Sequence, residues 1–422
     1  MRIDSILLVE NERVDYLYPF SIMHSAWEVR CGALMLFEKI KKEFPKSRFI
    51  YKGRQNHIES FYARFGIEKQ TLNKENILII NSALLPDKAF WNKLKLNYED
   101  FIKDKDNDKI ASFIIGNSPV AAFIPKIELD KIKDINNFIR DFFNKSVTSY
   151  PQIEMKNGKI INYLWDAIEF NGVAINDDCN YFISSANLNT LVKKGVFLIN
   201  KNKIIIDKSA KIAPTVVIDA SEGNVIIDKN VRILPQSSIF GPCYIGENTI
   251  IKAGAKIYGK TSIGNTCKVG GEVENSIIQS NTNKQHEGFL GHSYLGEWVN
   301  IGAGTNTSDL KNTYSPISVQ LDKTEIDTER TFLGLLCGDH TKTAINTAFT
   351  TGTVAGICGI IVADGFLPRY IPSFAWRGTK GCSYYKLDKA IETIDTSMKR
   401  RNKKLLPEEL KLIKEEFNKV SE

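Results

Sequence analysis

The sequence predicts an α/β first half, a parallel β-helix of hexapeptide repeats after it, and a short helical tail. Three observations carry this. Short apolar runs alternate with amphipathic stretches through the first half, an aliphatic residue then recurs at every sixth position, and helical spacing returns from Tyr384. The domains expected are 1–195, 196–383 and 384–422.

In the first domain, Ile6-Leu7-Leu8-Val9, Phe49-Ile50-Tyr51 and Ile77-Leu78-Ile79-Ile80 are apolar runs suited to buried parallel strands, and 120–124 is a further candidate. Trp27, Leu34, Phe37, Ile40 and Phe44 fall at helical spacing, which predicts a helix over 26–44; a second is predicted over 129–143. Such alternation implies a sheet with helices on both faces.

The repeat is the strongest signal. Ile227, Ile233, Ile239, Ile245, Ile251, Ile257, Ile263 and Val269 are eight consecutive hits at a period of six. Ile206, Ile212 and Ile218 keep the period, Ser221-Glu222-Gly223 interrupts it, and it is expected to resume at Ile277, Phe289, Leu295 and Ile301. Neither a helix nor a two-residue alternation yields such a period; a prism of short strands and turns does. Gly246, Gly254, Gly264 and Gly270 fit its corners, where the backbone must be permissive. A stack of aliphatic side chains fills the prism, so ligands are expected on outer faces, in clefts between subunits of a homotrimer.

In the tail, Leu387, Ala390, Ile391, Ile394 and Met398 make one helical face, and Pro407-Glu408-Glu409 reads as the first turn of a last helix. Between them, Lys399-Arg400-Arg401-Asn402-Lys403-Lys404 is either a solvated surface or a contact for substrate phosphate.

Composition narrows the function classes. Of 422 residues, 43% are hydrophobic and 25% charged, which excludes wholesale disorder. The 56 Lys+Arg against 49 Asp+Glu leave a formal charge of +7, spread too thinly for nucleic acid and better suited to a phosphorylated small molecule. Seven cysteines with no CxxC pair read as reduced, buried thiols. With no secretory h-region and no apolar run near the roughly 20 residues of a membrane span, the expectation is a cytoplasmic protein without membrane insertion.

The segment 284–305, Lys-Gln-His-Glu-Gly-Phe-Leu-Gly-His-Ser-Tyr-Leu-Gly-Glu-Trp-Val-Asn-Ile-Gly-Ala-Gly-Thr, resembles the acetyltransferase half of the bifunctional enzymes that make UDP-N-acetylglucosamine, without a gap from His286 to Thr305. The run Ser308-Asp309-Leu310-Lys311-Asn312, the segment 338–347, Tyr163-Leu164-Trp165-Asp166 with Asn171, and Ile371-Pro372-Ser373-Phe374-Ala375-Trp376 resemble the alternative bacterial form of that family. The resemblance implies a divergent, Rossmann-like sugar nucleotidyltransferase domain fused to a left-handed hexapeptide β-helix. It also implies acetyl-CoA as acyl donor, Mg²⁺ for nucleotidyl transfer, glucosamine-1-phosphate and UTP as default substrates, and a product feeding a cell-envelope glycan.

Acetyl transfer to an amine needs a proton acceptor, a positioned thioester and donors for the oxyanion. By resemblance His286 is the general base, since an imidazole titrates near neutrality. Asn300 matches a position that contacts sugar and acetyl group, and the backbone at Ala303 one that meets the thioester. Phe289 stands where the family usually has a sugar-binding tyrosine. Asp309 replaces an asparagine near coenzyme A, and is expected to pair with Lys311 beside that cofactor. A rival reading makes His286, His292 and His340 a zinc site. Six residues turn a third of the way round a triangular prism, however, so His286 and His292 should lie on different faces, too far apart for ligands at about 2.0–2.1 Å.

Nucleotidyl transfer ordinarily uses a glycine-rich loop, a basic residue on the triphosphate and acidic metal ligands. Here the loop after the first strand is Glu10-Asn11-Glu12-Arg13, which lacks the glycines but keeps an arginine. Tyr18-Pro19-Phe20-Ser21 and 28–32 match the alternative group, although His24 and Ser25 replace its Arg-Pro. Arg13, Arg30 and Asn81 are the expected nucleotide and phosphate contacts; Asp166 and Asn171 are the candidate metal or sugar ligands. Three readings follow: a bifunctional sugar-nucleotide enzyme, a single-activity transferase with one structural domain, and a non-catalytic trimeric scaffold that binds a sugar nucleotide.

Overall fold

The computed structural model describes residues 3–73, 75–103, 109–144, 150–362, 365, 367–378 and 381–421. The chain divides into two compact units. The first comprises Met1–Asp15, His24–Val29 and Leu34–Asn162; the second comprises Tyr16–Met23, Arg30–Ala33 and Tyr163–Glu422.

The first unit is built on a six-stranded sheet in the order Arg48–Lys52, Ser5–Val9, Ile77–Asn81, Ser118–Ile124, Ala111–Ile115, Gln152–Glu154. The three apolar runs form its parallel part, with Ile6 beside Phe49 on one side and Leu78 on the other. Ser118–Ile124 then runs antiparallel to Ile77–Asn81. One face of the sheet packs an aromatic cluster in which Phe61 lies 5.5 Å from Trp27, 5.1 Å from Phe37 and 4.7 Å from Tyr51, ring centre to ring centre. Beneath it a buried ion pair is tied off: Glu28 accepts from Arg64 at 2.5 Å, from His24 at 3.3 Å and from the Ser25 N–H at 2.9 Å.

The helix expected over 26–44 is interrupted. Ala26–Glu28 is a single 3₁₀ turn, and an α-helix runs only over Leu36–Glu43. The cause is capture of backbone donors by distant side chains. The Gly32 N–H donates to Asn171 Oδ1 at 2.7 Å and the Ala33 N–H to Asp178 Oδ2 at 2.8 Å. Gly32 sits at φ +87, where a Cβ would strike Asp178 and the backbone of Ala174. Likewise 129–143 is two helices, Lys126–Lys131 and Ile135–Asn144, the second started by Asp134, whose Oδ1 accepts from the Asn136 N–H at 2.8 Å.

The second unit is a parallel β-solenoid of about ten turns. On one face the inward residues run Ile206, Ile227, Ile245, Ile263, Ile278, Leu295, Cys337, Ala355 and Ile371, each in register with the next. A second ladder is Ile212, Ile233, Ile251, Val269, Lys284 and a third Ile218, Ile239, Ile257, Val273, Leu290. All eight residues of the unbroken repeat are in this core. After Val269 the expected register slips: Ile278 and Leu290 point inward instead of Ile277 and Phe289, because the steps from 269 to 273 and from 273 to 278 are shorter than six.

The corner glycines have two different reasons. Gly254 has φ +72, as expected of a turn. Gly246 has an ordinary φ and is needed because a Cβ there would meet Gly264 C at 2.7 Å on the next rung. The left-handed corner positions are taken chiefly by residues such as Asn230, Asn248 and Asn346.

Leu164–Asp178 packs against the solenoid strands Thr261–Ile263, Cys243–Ile245 and Tyr294–Leu295 and belongs to the second compact unit. The tail helices Leu387–Lys399 and Pro407–Ser421 belong to the same unit, with Ile394, Met398 and Ile413 buried beside Trp298 and Phe374. Arg401 of the basic run is structural: it donates to the Thr266 carbonyl and to Asn283 Oδ1 and lies over the Trp298 ring. Among the described residues no helix is long and apolar enough to cross a membrane. All seven cysteines are free; Cys31, Cys243, Cys267, Cys337 and Cys358 are buried, Cys179 is half-buried and Cys382 exposed.

Three stability outcomes follow from this packing. Ile257→Ala, which opens a hole in the middle of the stack, costs about 2–5 kcal/mol in denaturant unfolding. Burial opposes ionisation of Glu28, but Arg64 and His24 outweigh it and hold its pKa at about 2. Its contribution is therefore present above the ordinary carboxylate pKa and is lost as pH falls towards 2, and Glu28→Gln flattens that part of the acid-unfolding profile. Burial pushes Lys284 down to about 8. Between that value and its ordinary 10.5 the unfolded chain binds the extra proton, so stability rises with pH across the window. Relative to the wild type, Lys284→Met then loses ground from pH 8 to pH 10 in unfolding titrations.

Candidate functional site

In the first unit, a cavity of about 530 Å³ opens at the carboxyl ends of Ser5–Val9 and Arg48–Lys52, where open α/β sheets hold their ligands. Lys52, Lys69 and Arg140 line it together with Glu12, Tyr51 and Tyr62. None of the three cations was singled out by sequence, although Lys52 directly follows the Phe49-Ile50-Tyr51 run, a position the topology of such sheets points to.

The expected phosphate contacts lie elsewhere. Arg13 is exposed and donates to Asn162 Oδ1 at 3.3 Å. Asn81 is buried at the end of its strand, and its side chain accepts from the Ala83 N–H at 3.0 Å, closing a local turn. Arg30 belongs to the second unit; its guanidinium lies over Tyr244 and donates to the Ala33 carbonyl at 2.5 Å. At the loop expected to cradle phosphate, Glu10 is engaged in a two-pronged pair with Arg54, Oε2 to Nε at 2.9 Å and Oε1 to Nη2 at 3.0 Å. It also accepts from the Ala26 and Arg54 N–H groups.

Asp166 and Asn171 do not fit a metal site. Asn171 is fully buried: its Oδ1 accepts from the Gly32 N–H and from Ser262 Oγ, and its Nδ2 donates to the Lys260 carbonyl at 2.7 Å. Asp166 caps its own helix by accepting from the Tyr163 N–H at 3.0 Å and faces Arg330 at 3.5 Å. Both positions serve the seating of Leu164–Asp178. Among the described residues no group of three or more His, Cys, Asp or Glu is arranged to hold an ion.

In the second unit the motif 284–305 winds around the prism. Lys284 points into the core at 2% exposure and donates to the Gly270 carbonyl at 3.0 Å and to the His286 carbonyl at 2.9 Å. Its charge is thereby matched to two acceptors within an aliphatic stack. The His286 side chain is exposed and, among the described residues, has no hydrogen-bonding partner. Asn300 lies beside Asn283, which donates to its Oδ1 at 3.4 Å, and it bridges the strand pairs on that face. The Ala303 carbonyl accepts from the Asn346 N–H at 2.7 Å, leaving the residue half-buried.

Phe289, released from the core by the slip in register, lines a groove of about 970 Å³. Asp309 lies there too, and its partner is not Lys311. His292 Nδ1 is 2.8 Å from Asp309 Oδ2, while Lys311 donates to the Pro316 carbonyl. The pair forms because the chain leaves the solenoid after Asn306–Thr307, makes the hairpin Ser318–Leu321 with Thr324–Asp327, and returns at Leu336–Cys337. Leu310 and Phe332 bridge the neck of this excursion, which sets Asp309 and Phe332 beside His292. His286, His292 and His340 do not converge: the last is buried, its ring stacked on Trp298 at 6.2 Å.

Residues 6–187 match the family model for sugar nucleotidyl transferases. The chain is 27% identical over 201 residues to the bifunctional protein GlmU of Synechococcus elongatus, a match covering 43% of this chain and 41% of that one. It is 32% identical over 207 residues to GlmU of Methanococcus maripaludis, covering 48% and 46%. The matches thus span less than half the length of these relatives. A variant of the GDP-perosamine N-acetyl transferase of Caulobacter crescentus, solved with CoA and GDP-perosamine, covers 46% of this chain and 62% of its own at 15% identity. Its TM-score of 0.12 is too low to argue from. By its sequence, therefore, the chain is similar over about half its length to the bifunctional GlmU proteins, with a match to sugar nucleotidyl transferases over residues 6–187.

Proposed function

We propose that the chain is a bifunctional transferase of sugar-nucleotide synthesis. The solenoid acetylates the amine of an amino-sugar 1-phosphate, with glucosamine-1-phosphate as default acceptor and acetyl-CoA as donor. The first unit joins the sugar 1-phosphate to a nucleotide, with UTP as default, releasing pyrophosphate. The observation that carries this reading is the gapless motif from His286 to Thr305, wound on a β-solenoid that follows a segment matching sugar nucleotidyl transferases. The proton acceptor is a histidine of that motif, and the resemblance points to His286. Asn300, the Ala303 backbone and Phe289 would meet sugar and thioester, with Lys311 near the cofactor. Mg²⁺ enters with the nucleotide, held by its phosphates rather than by a cage of side chains. Lys52, Lys69 and Arg140 are the cations best placed for those phosphates.

Three copies are proposed to associate through their solenoids in the cytoplasm. Ile345, Val362 and Trp376 support this, being 68%, 45% and 44% exposed on neighbouring rungs. The product would feed a cell-envelope glycan. A second reading, acyl transfer alone, is favoured by Glu10, whose carboxylate is already committed to Arg54 where a phosphate loop would open.

Two assays separate the readings: thiol release from acetyl-CoA with glucosamine-1-phosphate, and pyrophosphate release from UTP with N-acetylglucosamine-1-phosphate. Both are expected to proceed, the second only with Mg²⁺. Thiol release without pyrophosphate leaves the single-activity reading. Neither product from a folded protein overturns the proposal.

A further inference from the structure

We propose that Lys284 is a positioning residue of the acyl-transfer site: its buried ammonium pins the backbone of the corner from which His286 projects. This rests on the acyl-transfer reading with His286 as base, and adds a residue to it.

The repeat asks for an aliphatic side chain at this position. The ladder runs Ile212, Ile233, Ile251, Val269, Lys284, and Ile301 resumes the stack beside it. Lys284 is 2% exposed and, among the described residues, makes no ion pair; Glu287 faces Lys256 at 3.9 Å instead. A cation in hydrocarbon is unfavourable unless hydrogen-bonded, and an isoleucine would fill the rung without that penalty. A local rule broken inside an otherwise regular repeat marks a functional constraint.

What the ammonium holds identifies the constraint. Nζ donates to the Gly270 carbonyl at 3.0 Å and to the His286 carbonyl at 2.9 Å, which ties two successive corners of the prism together. Gly271, at φ +69, leaves the room for this: a Cβ there would stand 2.7 Å from the His286 carbonyl oxygen and 2.9 Å from Nζ. The His286 ring is exposed without a side-chain partner among the described residues, so its backbone alone sets where it starts. Among those residues Lys284 is the one donor to its carbonyl. A base must come within hydrogen-bond reach of the amine it serves, and a 1 Å misplacement can cost about 10²-fold in rate. Nζ lies inside the prism, away from any substrate, so Lys284 acts through His286 and not on the reacting atoms.

Protonation grades the anchor. Burial pushes Lys284 down to about 8; of the charged groups facing it, Glu287 and Glu272 raise the value and Lys256 lowers it. Below 8 both bonds are charge-assisted, whereas above it the neutral amine keeps its hydrogens but donates more weakly. Acyl transfer therefore gains an alkaline limb in the range where the fold itself becomes more stable. A lysine with a structural role alone would move stability and leave turnover unchanged.

The test follows thiol release from acetyl-CoA with glucosamine-1-phosphate from pH 6 to pH 10. It compares the full-length wild type, Lys284→Met and Gly271→Ala, with melting temperature as a check on folding. Lys284→Met is expected to lower kcat by about 10–10²-fold with KM unchanged, and to lose the alkaline limb. Gly271→Ala displaces the same carbonyl but leaves the ammonium, so it lowers kcat and keeps the limb. Wild-type kcat in folded Lys284→Met, or an alkaline limb that persists in it, overturns the proposal.

A second readout does not need turnover. With carbonyl-¹³C histidine, the amide-I band of His286 is isolated by difference against His286→Asn. It is expected to move to higher frequency as pH rises through 8 in the wild type, and to stay fixed in Lys284→Met. If the wild type releases no thiol and this band moves, the acyl-transfer reading fails and the anchor stands. A band that does not move overturns the anchor.

Discussion

Everything in the second unit depends on aliphatic side chains kept in register inside a narrow prism. Each rung's inward residue lies directly over the next, from Ile206 through Ile263 to Ile371, so the burial of one rung presupposes that of its neighbours. The interior has no room for a ligand, and chemistry is pushed to the corners and outer faces. A corner residue is held by two flanking strands, which gives side chains such as His292 a fixed point of departure without a helix or a long loop.

The groove lined by Phe289, His292 and Asp309 depends on a place where that regularity is broken. Two short steps after Val269 shift the register, which brings Lys284 inside and sets Phe289 free to line a groove. One further break, the excursion from Ser308 to Leu333, carries Asp309 back to His292 and Phe332 onto its ring. Lys284 is the cost of the first break: a buried ammonium that the fold tolerates by spending two carbonyls on it, one of them that of His286.

A similar exchange shapes the amino-terminal half. The side chains of Asn171 and Asp178, on one helix, take up the N–H groups of Gly32 and Ala33. A stretch with the apolar spacing of a helix is thereby interrupted, and its segment Arg30–Ala33 belongs to the second unit. The same commitment of polar groups makes Asn171 and Asp166 tethers of that helix and locks Glu10 to Arg54.

Sequence alone determined what is local and periodic: the parallel strands of the first sheet, the hexad repeat with its eight inward aliphatics, the two tail helices, and a motif whose family likeness is independent of coordinates. These are legible because each residue's role is set by near neighbours and by burial of one face. Tertiary structure decided whatever depends on residues far apart in the chain. Which histidine gains a carboxylate, which arginine is consumed in packing, where the first helix stops and where the units divide all turn on pairs such as His292 with Asp309 or Gly32 with Asn171. In such pairs a buried polar group must find its partner wherever the fold delivers one, and spacing along the sequence does not encode that delivery.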